Sequence, residues 1–216
     1  DQGNNLRTII EDGGMVVAPG CYDGLSARLI ERAGFDAVYA SGGAIARSRA
    51  IPDMGLVTLS EIVERVSEIV DAVSLPVIAD MDTGYGNALN ARHAVHAYER
   101  AGVAAFHIED QVFPKKCGHT PYRRVIPLED MVAKVRVAVD SRTDPNFLVI
   151  ARTDAQGIDL GASGLDAPVE VLGNAALLVG GKRGFGRKAA DHRCLVGKEP
   201  VGDRSAARQL GHVRAS

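Results

Sequence analysis

Leu75-Pro76-Val77-Ile78-Ala79-Asp80-Met81-Asp82-Thr83-Gly84-Tyr85-Gly86-Asn87 is the stretch that decides how this chain is read. Its first five residues are all apolar, with β-branched Val77 and Ile78 and no polar alternation. Such a run reads as a strand buried on both faces, the kind that parallel sheets contain. Acidic and glycine residues follow at once, so the strand ends in a polar loop. The same pattern recurs along the chain. Met15-Val16-Val17-Ala18 stops at Pro19-Gly20, Asp36 to Ala40 stops at Ser41-Gly42-Gly43, Val103 to Ile108 stops at Glu109, and Phe147 to Ala151 stops at Arg152-Thr153-Asp154. Helical patterns fill the gaps, over Asp23 to Ala33, Leu59 to Val73, Ala91 to Ala101 and Leu128 to Val139. The second opens with Thr58 and Glu61 at capping-box spacing and carries Ile62, Val66, Ile69, Val70 and Val73 on one face; the last is entered through Pro127. Strand and helix in alternation predict an α/β fold, a parallel sheet with helices outside it. Five such strands by residue 151 predict a TIM-type (β/α)8 barrel, whose active site gathers at the carboxyl ends of the strands.

Those ends carry the chemistry. On an extended chain Asp80 and Asp82 point to one side. Two carboxylates held together repel unless a cation joins them, and oxygen-only ligands suit magnesium. Glu109 arrives at the end of another strand and makes a third acid. Downstream, Lys115-Lys116-Cys117-Gly118-His119 places a thiol among cationic neighbours, which favours its thiolate and allows proton transfer near neutral pH. Other readings are weaker. Cys117-Gly118-His119 has no second Cys or His pair at a zinc spacing, and Gly84-Tyr85-Gly86 lacks the third glycine of a dinucleotide fingerprint. His107 lies along a strand and reads as a residue packed or hydrogen-bonded inside the barrel. His93 and His96 read as ordinary positions on a helix.

Taken together, Tyr39-Ala40-Ser41-Gly42-Gly43, Pro52-Asp53, the Asp80 to Asn87 run, Ile108-Glu109-Asp110-Gln111, Lys115 to His119 and Ala151-Arg152-Thr153-Asp154-Ala155 resemble the isocitrate lyase and phosphoenolpyruvate mutase superfamily, in order and in spacing. The resemblance covers roughly residues 1 to 167. It implies an enzyme that cleaves a C–C bond of a 2-hydroxy di- or tricarboxylate of the methylisocitrate kind, giving a 2-oxo acid and a carboxylate. The alternatives are P–C bond chemistry of the carboxyphosphonoenolpyruvate phosphonomutase type and a non-catalytic truncated homologue. The resemblance further implies Mg2+, with Mn2+ as a substitute, at Asp80, Asp82 and Glu109. It implies Cys117, Tyr39, Lys116, His119 and Arg152 as catalytic residues, and Ser41, Gly42, Gly43, Asp53, Gly118 and Arg152 around the substrate. A homo-oligomer, a tetramer by the resemblance, is the expected assembly.

The chain changes character near residue 167. Residues 168–216 carry nine Lys and Arg against four Asp and Glu, whereas the whole chain of 216 residues has 25 against 27 and a net charge of −2. Only Ala175 to Val179 reads as a strand there. The sequence divides accordingly into a barrel portion over 1–167, carrying the site motifs, and a divergent or frame-shifted segment over 168–216. Arg183-Gly184-Phe185-Gly186 opens like an RNA-recognition signature but Arg187 stands where an aromatic is needed, so no nucleic-acid partner is expected. With near-zero net charge, no apolar run of 18 residues and no leader pattern in Asp1 to Ala18, no membrane partner is expected either. Three cysteines, Cys21, Cys117 and Cys194, make no disulfide framework and fit a reducing, cytoplasmic setting.

Overall fold

Among the described residues seven strands form one sheet in which each strand hydrogen-bonds to the next in sequence. They are β1 (Gly20–Cys21), β2 (Val38–Ala40), β3 (Val77–Asp80), β4 (Ala105–Glu109), β5 (Leu148–Thr153), β6 (Ala175–Val179) and β7 (Leu195–Val196). The computed structural model of the chain describes residues 2–11, 15–118, 120, 122–155, 175–179 and 195–196. Pairing is parallel from β1 to β6, and β7 runs antiparallel to β6. Among the described residues six helices accompany the strands: α1 (Gln2–Glu11), α2 (Gly24–Arg32), α3 (Gly42–Ser48), α4 (Leu59–Ala72), α5 (Ala88–Arg100) and α6 (Leu128–Asp140). This is the expected α/β architecture of the TIM type, with β1 to β5 joined through helices.

The helices start where their caps dictate. Thr58 and Glu61 form the anticipated reciprocal cap, with the Thr58 amide donating to Glu61 Oε2 at 2.8 Å. The α4 face of Ile62, Val66 and Ile69 is buried, and each such side chain contributes about 1.5–3 kcal/mol on leaving water. Helix α5 begins three residues before the apolar pattern suggested, because Asn87 accepts from Leu89 and Asn90 while Asn90 accepts from the Asn87 amide at 3.0 Å. On β4, Phe106 is fully buried between Tyr98 of α5 and Phe147, at ring separations of 6.2 and 5.2 Å.

Some expectations are corrected. The first strand is not Met15 to Ala18 but Gly20–Cys21, since the Tyr39 amide reaches the Pro19 carbonyl and the Ser41 amide the Cys21 carbonyl, at 2.9 and 3.1 Å. Met15 and Val17 are exposed, and Val16 packs beside buried Leu6 of α1 and the opening residues of β4 and β5, Ala105 and Leu148. The glycine pair after β2 starts a helix rather than a loop: Ser41 caps α3 by accepting from the Ala44 amide at 3.3 Å. In the C-terminal segment, Ala175 to Val179 is a strand as anticipated, aligned from Val149 with Ala175 to Thr153 with Val179. The boundary near 167 and most of 168–216 lie outside the described residues.

Because Ile69 is fully buried, Ile69→Val should lower stability by about 0.5–1.5 kcal/mol. Urea unfolding followed by circular dichroism reads this as a lower midpoint at unchanged slope.

Candidate active site

The carboxyl ends of β2 to β5 bring acids and cations together in pairs. Asp80 ends β3, and its Oδ2 accepts the Gly42 amide at 3.2 Å while its Oδ1 accepts the Asp82 amide at 3.0 Å. A Cβ on Gly42 would lie 2.8 Å from Asp80 Oδ2, so only glycine lets the α3 backbone come this close. Gly42 thus spends its amide on Asp80. The Asp82 backbone is left-handed, with φ of 48°, so the extended-strand argument for Asp80 and Asp82 does not hold: the chain has already turned at Asp82, and the Asp80 side chain fixes that turn.

The remaining partners come from other loops. Lys115, buried, puts Nζ 2.5 Å from Asp53 Oδ1 and 2.6 Å from Asp82 Oδ1. At the end of β5, Arg152 meets Glu109 Oε2 at 3.1 Å and Asp154 Oδ1 at 3.0 Å. His107 Nε2 stands 3.2 Å from Asp80 Oδ1 and shares a short hydrogen bond with the Tyr39 hydroxyl. Behind β3, the Tyr98 hydroxyl donates to the Asp80 carbonyl at 2.7 Å and lies 2.9 Å from the Tyr85 hydroxyl.

Burial sets the electrostatics. It pushes the Glu109 carboxyl up to about 9, an effect the Arg152 charge offsets only in part. Burial, and after it the Asp80 charge, also raises Asp82. On Lys115 burial acts to remove the proton, but the Asp82 and Asp80 charges outweigh it and hold the ammonium. His107 is driven toward the neutral imidazole by burial. Tyr39 rises well above the ordinary phenol value, first through burial and then through the Asp80 charge. It therefore stands ready to donate a proton to a hydrogen bond, not to act as a base.

Of the predicted site residues, Tyr39, Ser41, Gly42, Asp53, Asp80, Asp82, Glu109 and Arg152 gather at these strand ends. A Cβ on Gly43 would fall 2.6 Å from Asp53 Oδ2, and one on Gly118 would fall 2.5 Å from Arg152 Nη2, so both glycines border the same cluster. Lys116 turns its Nζ to the Tyr122 carbonyl at 3.3 Å, and Lys115 is committed to the acids; Cys117 between Lys116 and Gly118 is half-buried. His119 lies outside the described residues. Sequence reasoning missed Lys115 as an acid partner and His107 as a member of the cluster; a basic residue on a loop and a histidine in an apolar run carry no signal of their own.

The donor set fits a hard cation. Asp80, Asp82 and Glu109 offer only oxygens, and Glu109 Oε1 is buried with no hydrogen-bond partner among the described residues. Magnesium keeps several waters and takes one or two carboxylates rather than a full protein cage. Among the described residues no three Asp, Glu, His or Cys side chains are placed to hold a metal ion by themselves.

An α/β sheet of this order with acids at its strand ends defines a class, and comparison with known proteins narrows it. The family model described as phosphoenolpyruvate phosphomutase matches residues 6–169, and the chain belongs to that family. It is 50% identical over 158 residues to 2,3-dimethylmalate lyase of Eubacterium barkeri, covering 71% of this chain and 55% of the relative. Against 2-methylisocitrate lyase of Aeropyrum pernix it is 52% identical over 154 residues, covering 71% and 49%. The crystal structure of phosphonopyruvate hydrolase with oxalate and Mg2+ superposes with a TM-score of 0.67 at 36% identity, over 71% of this chain and 53% of that one. The chain thus spans about half the length of the relatives it matches.

Removing the buried ammonium that joins Asp53 and Asp82 leaves two partly buried carboxylates without the charge they share. Lys115→Met is therefore expected to cost about 3–5 kcal/mol of stability, measured by guanidinium unfolding; a loss below about 1 kcal/mol, the worth of an exposed pair, would show that solvent already compensates the acids.

Proposed function

We propose that this chain carries the active site of a Mg2+-dependent C–C lyase acting on a 2-hydroxy di- or tricarboxylate. The observation that supports this most directly is the joining of two features: strand-end acids Asp80, Asp82 and Glu109, and a loop anchored into them by Lys115, two residues before Cys117. Both 2,3-dimethylmalate lyase and 2-methylisocitrate lyase are named among the relatives.

Asp80, Asp82 and Glu109 are the residues that would hold Mg2+, and when bound it would supply the charge that polarises the oxygen becoming the ketone. The substrate's 2-hydroxyl gives its proton to a carboxylate of the strand-end cluster or through it to water, and the C2–C3 bond then breaks with its electron pair passing to C3. Cys117 then gives its thiol proton to that carbon. Tyr39, a hydrogen-bond donor fixed by His107, faces developing oxyanion charge, and Arg152 with the α3 entry at Ser41 and Gly43 grips the carboxylate. Asp53 and Gly118 line the substrate's place, while Lys116 and His119 stand on either side of the thiol in sequence. The same acids would also serve a P–C bond reaction, and a panel of 2-hydroxy acids beside phosphonopyruvate separates the two. We further propose a cytoplasmic homo-oligomer with no nucleic-acid or membrane partner, testable by size-exclusion chromatography with light scattering; among the described residues no helix is long and apolar enough to cross a membrane.

Asp82→Asn removes a charge while keeping a residue type that tolerates the left-handed backbone. It should abolish Mg2+-dependent turnover and weaken Mg2+ binding measured calorimetrically with pyruvate present; unchanged affinity would remove Asp82 from the metal set. For the thiol, Cys117→Ser should lower kcat by about 10²–10⁴-fold with little change in pyruvate binding. Near-normal turnover of that variant would refute Cys117 as the acid.

A further inference from the structure

The chain leaves the sheet after β4, runs out through Val112 to Arg124 and comes back to its own starting point. Gln111 and Val125 form an antiparallel bridge at the neck, with the Val112 amide on the Arg124 carbonyl and the Ile126 amide on the Asp110 carbonyl, both at 2.8 Å. A neck of this kind closes a loop without fixing its interior. The Gln111 side chain does more. Its Nε2 donates to the Lys116 carbonyl at 2.9 Å, and its Oε1 accepts the Lys116 amide at 3.0 Å. One planar amide thus pairs with both polar groups of one residue, as a neighbouring strand would. The second hydrogen of Nε2 goes to Asp154 Oδ2 at 3.1 Å.

Asp154 settles which way the amide faces, since a carboxylate accepts only from the NH2 side. It is itself held by Arg152 at 3.0 Å and lies 3.4 Å from Arg123, whose guanidinium also donates to the Gly118 carbonyl. Gln111 and Asp154 are each only 2% exposed. The residues on both sides of Cys117 are therefore tied to one buried polar group, Lys116 through Gln111 and Gly118 through Arg123.

We propose that Gln111 is a positioning residue: aimed by Asp154, its amide clasps the Lys116 backbone and thereby fixes where Cys117 stands. The use of this clasp in catalysis rests on the lyase reading above; the fixing of Cys117 does not.

A glutamate has the volume of glutamine but no donor, and it would face Asp154 with like charge. Gln111→Glu and Gln111→Met therefore separate hydrogen bonding from packing. The test measures iodoacetamide labelling of Cys117 and native trypsin cleavage after Lys116, each mapped by mass spectrometry, with fully buried Cys21 as the gauge of global opening. Both variants should raise the Cys117 and Lys116 rates by about tenfold, the factor expected when hydrogen bonds worth about one such step are lost, while Cys21 labelling stays constant. Rates within about twofold of the parent in Gln111→Glu, where a packing role predicts no change, would overturn the proposal. So would Cys117 and Cys21 rates rising in step in both variants. None of these readouts uses turnover, so an inactive chain leaves the result standing and an active one does not supply it.

Discussion

The mouth of this sheet depends on one ammonium group. Lys115 Nζ sits within 2.6 Å of both Asp53 and Asp82, carboxylates that come from the segment after α3 and the turn after β3. Partly buried acids from separate segments repel, and bringing them together without a compensating charge is costly. Lys115 supplies that charge from a third segment, the excursion after β4. The site is thus assembled by a side chain whose backbone belongs to none of the strands it joins, and the loop that carries Cys117 is anchored by the same contact.

The other acids are satisfied by different partners. Glu109 and Asp154 share Arg152, and Asp80 takes the Gly42 amide, the Asp82 amide and the neighbourhood of His107. Arg152 is a guanidinium with a forked set of donors, able to serve two carboxylates at once. A neutral His107 keeps one nitrogen for the Tyr39 and Asp80 side and leaves Nδ1 buried without a hydrogen bond among the described residues. Polar groups of this kind are tolerated where a site requires them.

Much of this was legible in the sequence. Buried parallel strands announce themselves as unbroken apolar runs, so β3, β4 and β5 fall close to where Val77, Ala105 and Leu148 suggest, and the acids at their ends follow. Caps were equally readable at Thr58 and Glu61, where side-chain chemistry is local. Other features required knowledge of neighbours. The exact place of β1 depends on which carbonyls β2 can reach, and Met15 to Ala18 look as strand-like as the segment that pairs. Ser41-Gly42-Gly43 reads as a turn because glycine weakens a helix, yet the approach of α3 to Asp80 demands it. Asp82 was expected beside Asp80 by strand geometry and instead reaches the cluster through a left-handed turn. Lys115 was read as a neighbour of Cys117 in sequence, whereas its side chain is taken by acids distant along the chain; no local pattern encodes such a pairing.

The order of the sheet has a bearing on how such a molecule comes into being. Every strand from β2 to β6 pairs with the one made just before it, so each strand added to the growing chain finds its place on a surface already present. Each pairing closes only the stretch of chain back to the preceding strand, and the entropic penalty of closing a loop grows slowly with its length. During synthesis, β1 to β5 with the acids they present can assemble from the amino end onward, before later elements emerge. Wall-building by successive addition makes the order of translation and the order of the strands the same, and it lets the acid-lined rim take shape while the sheet is still a short arc.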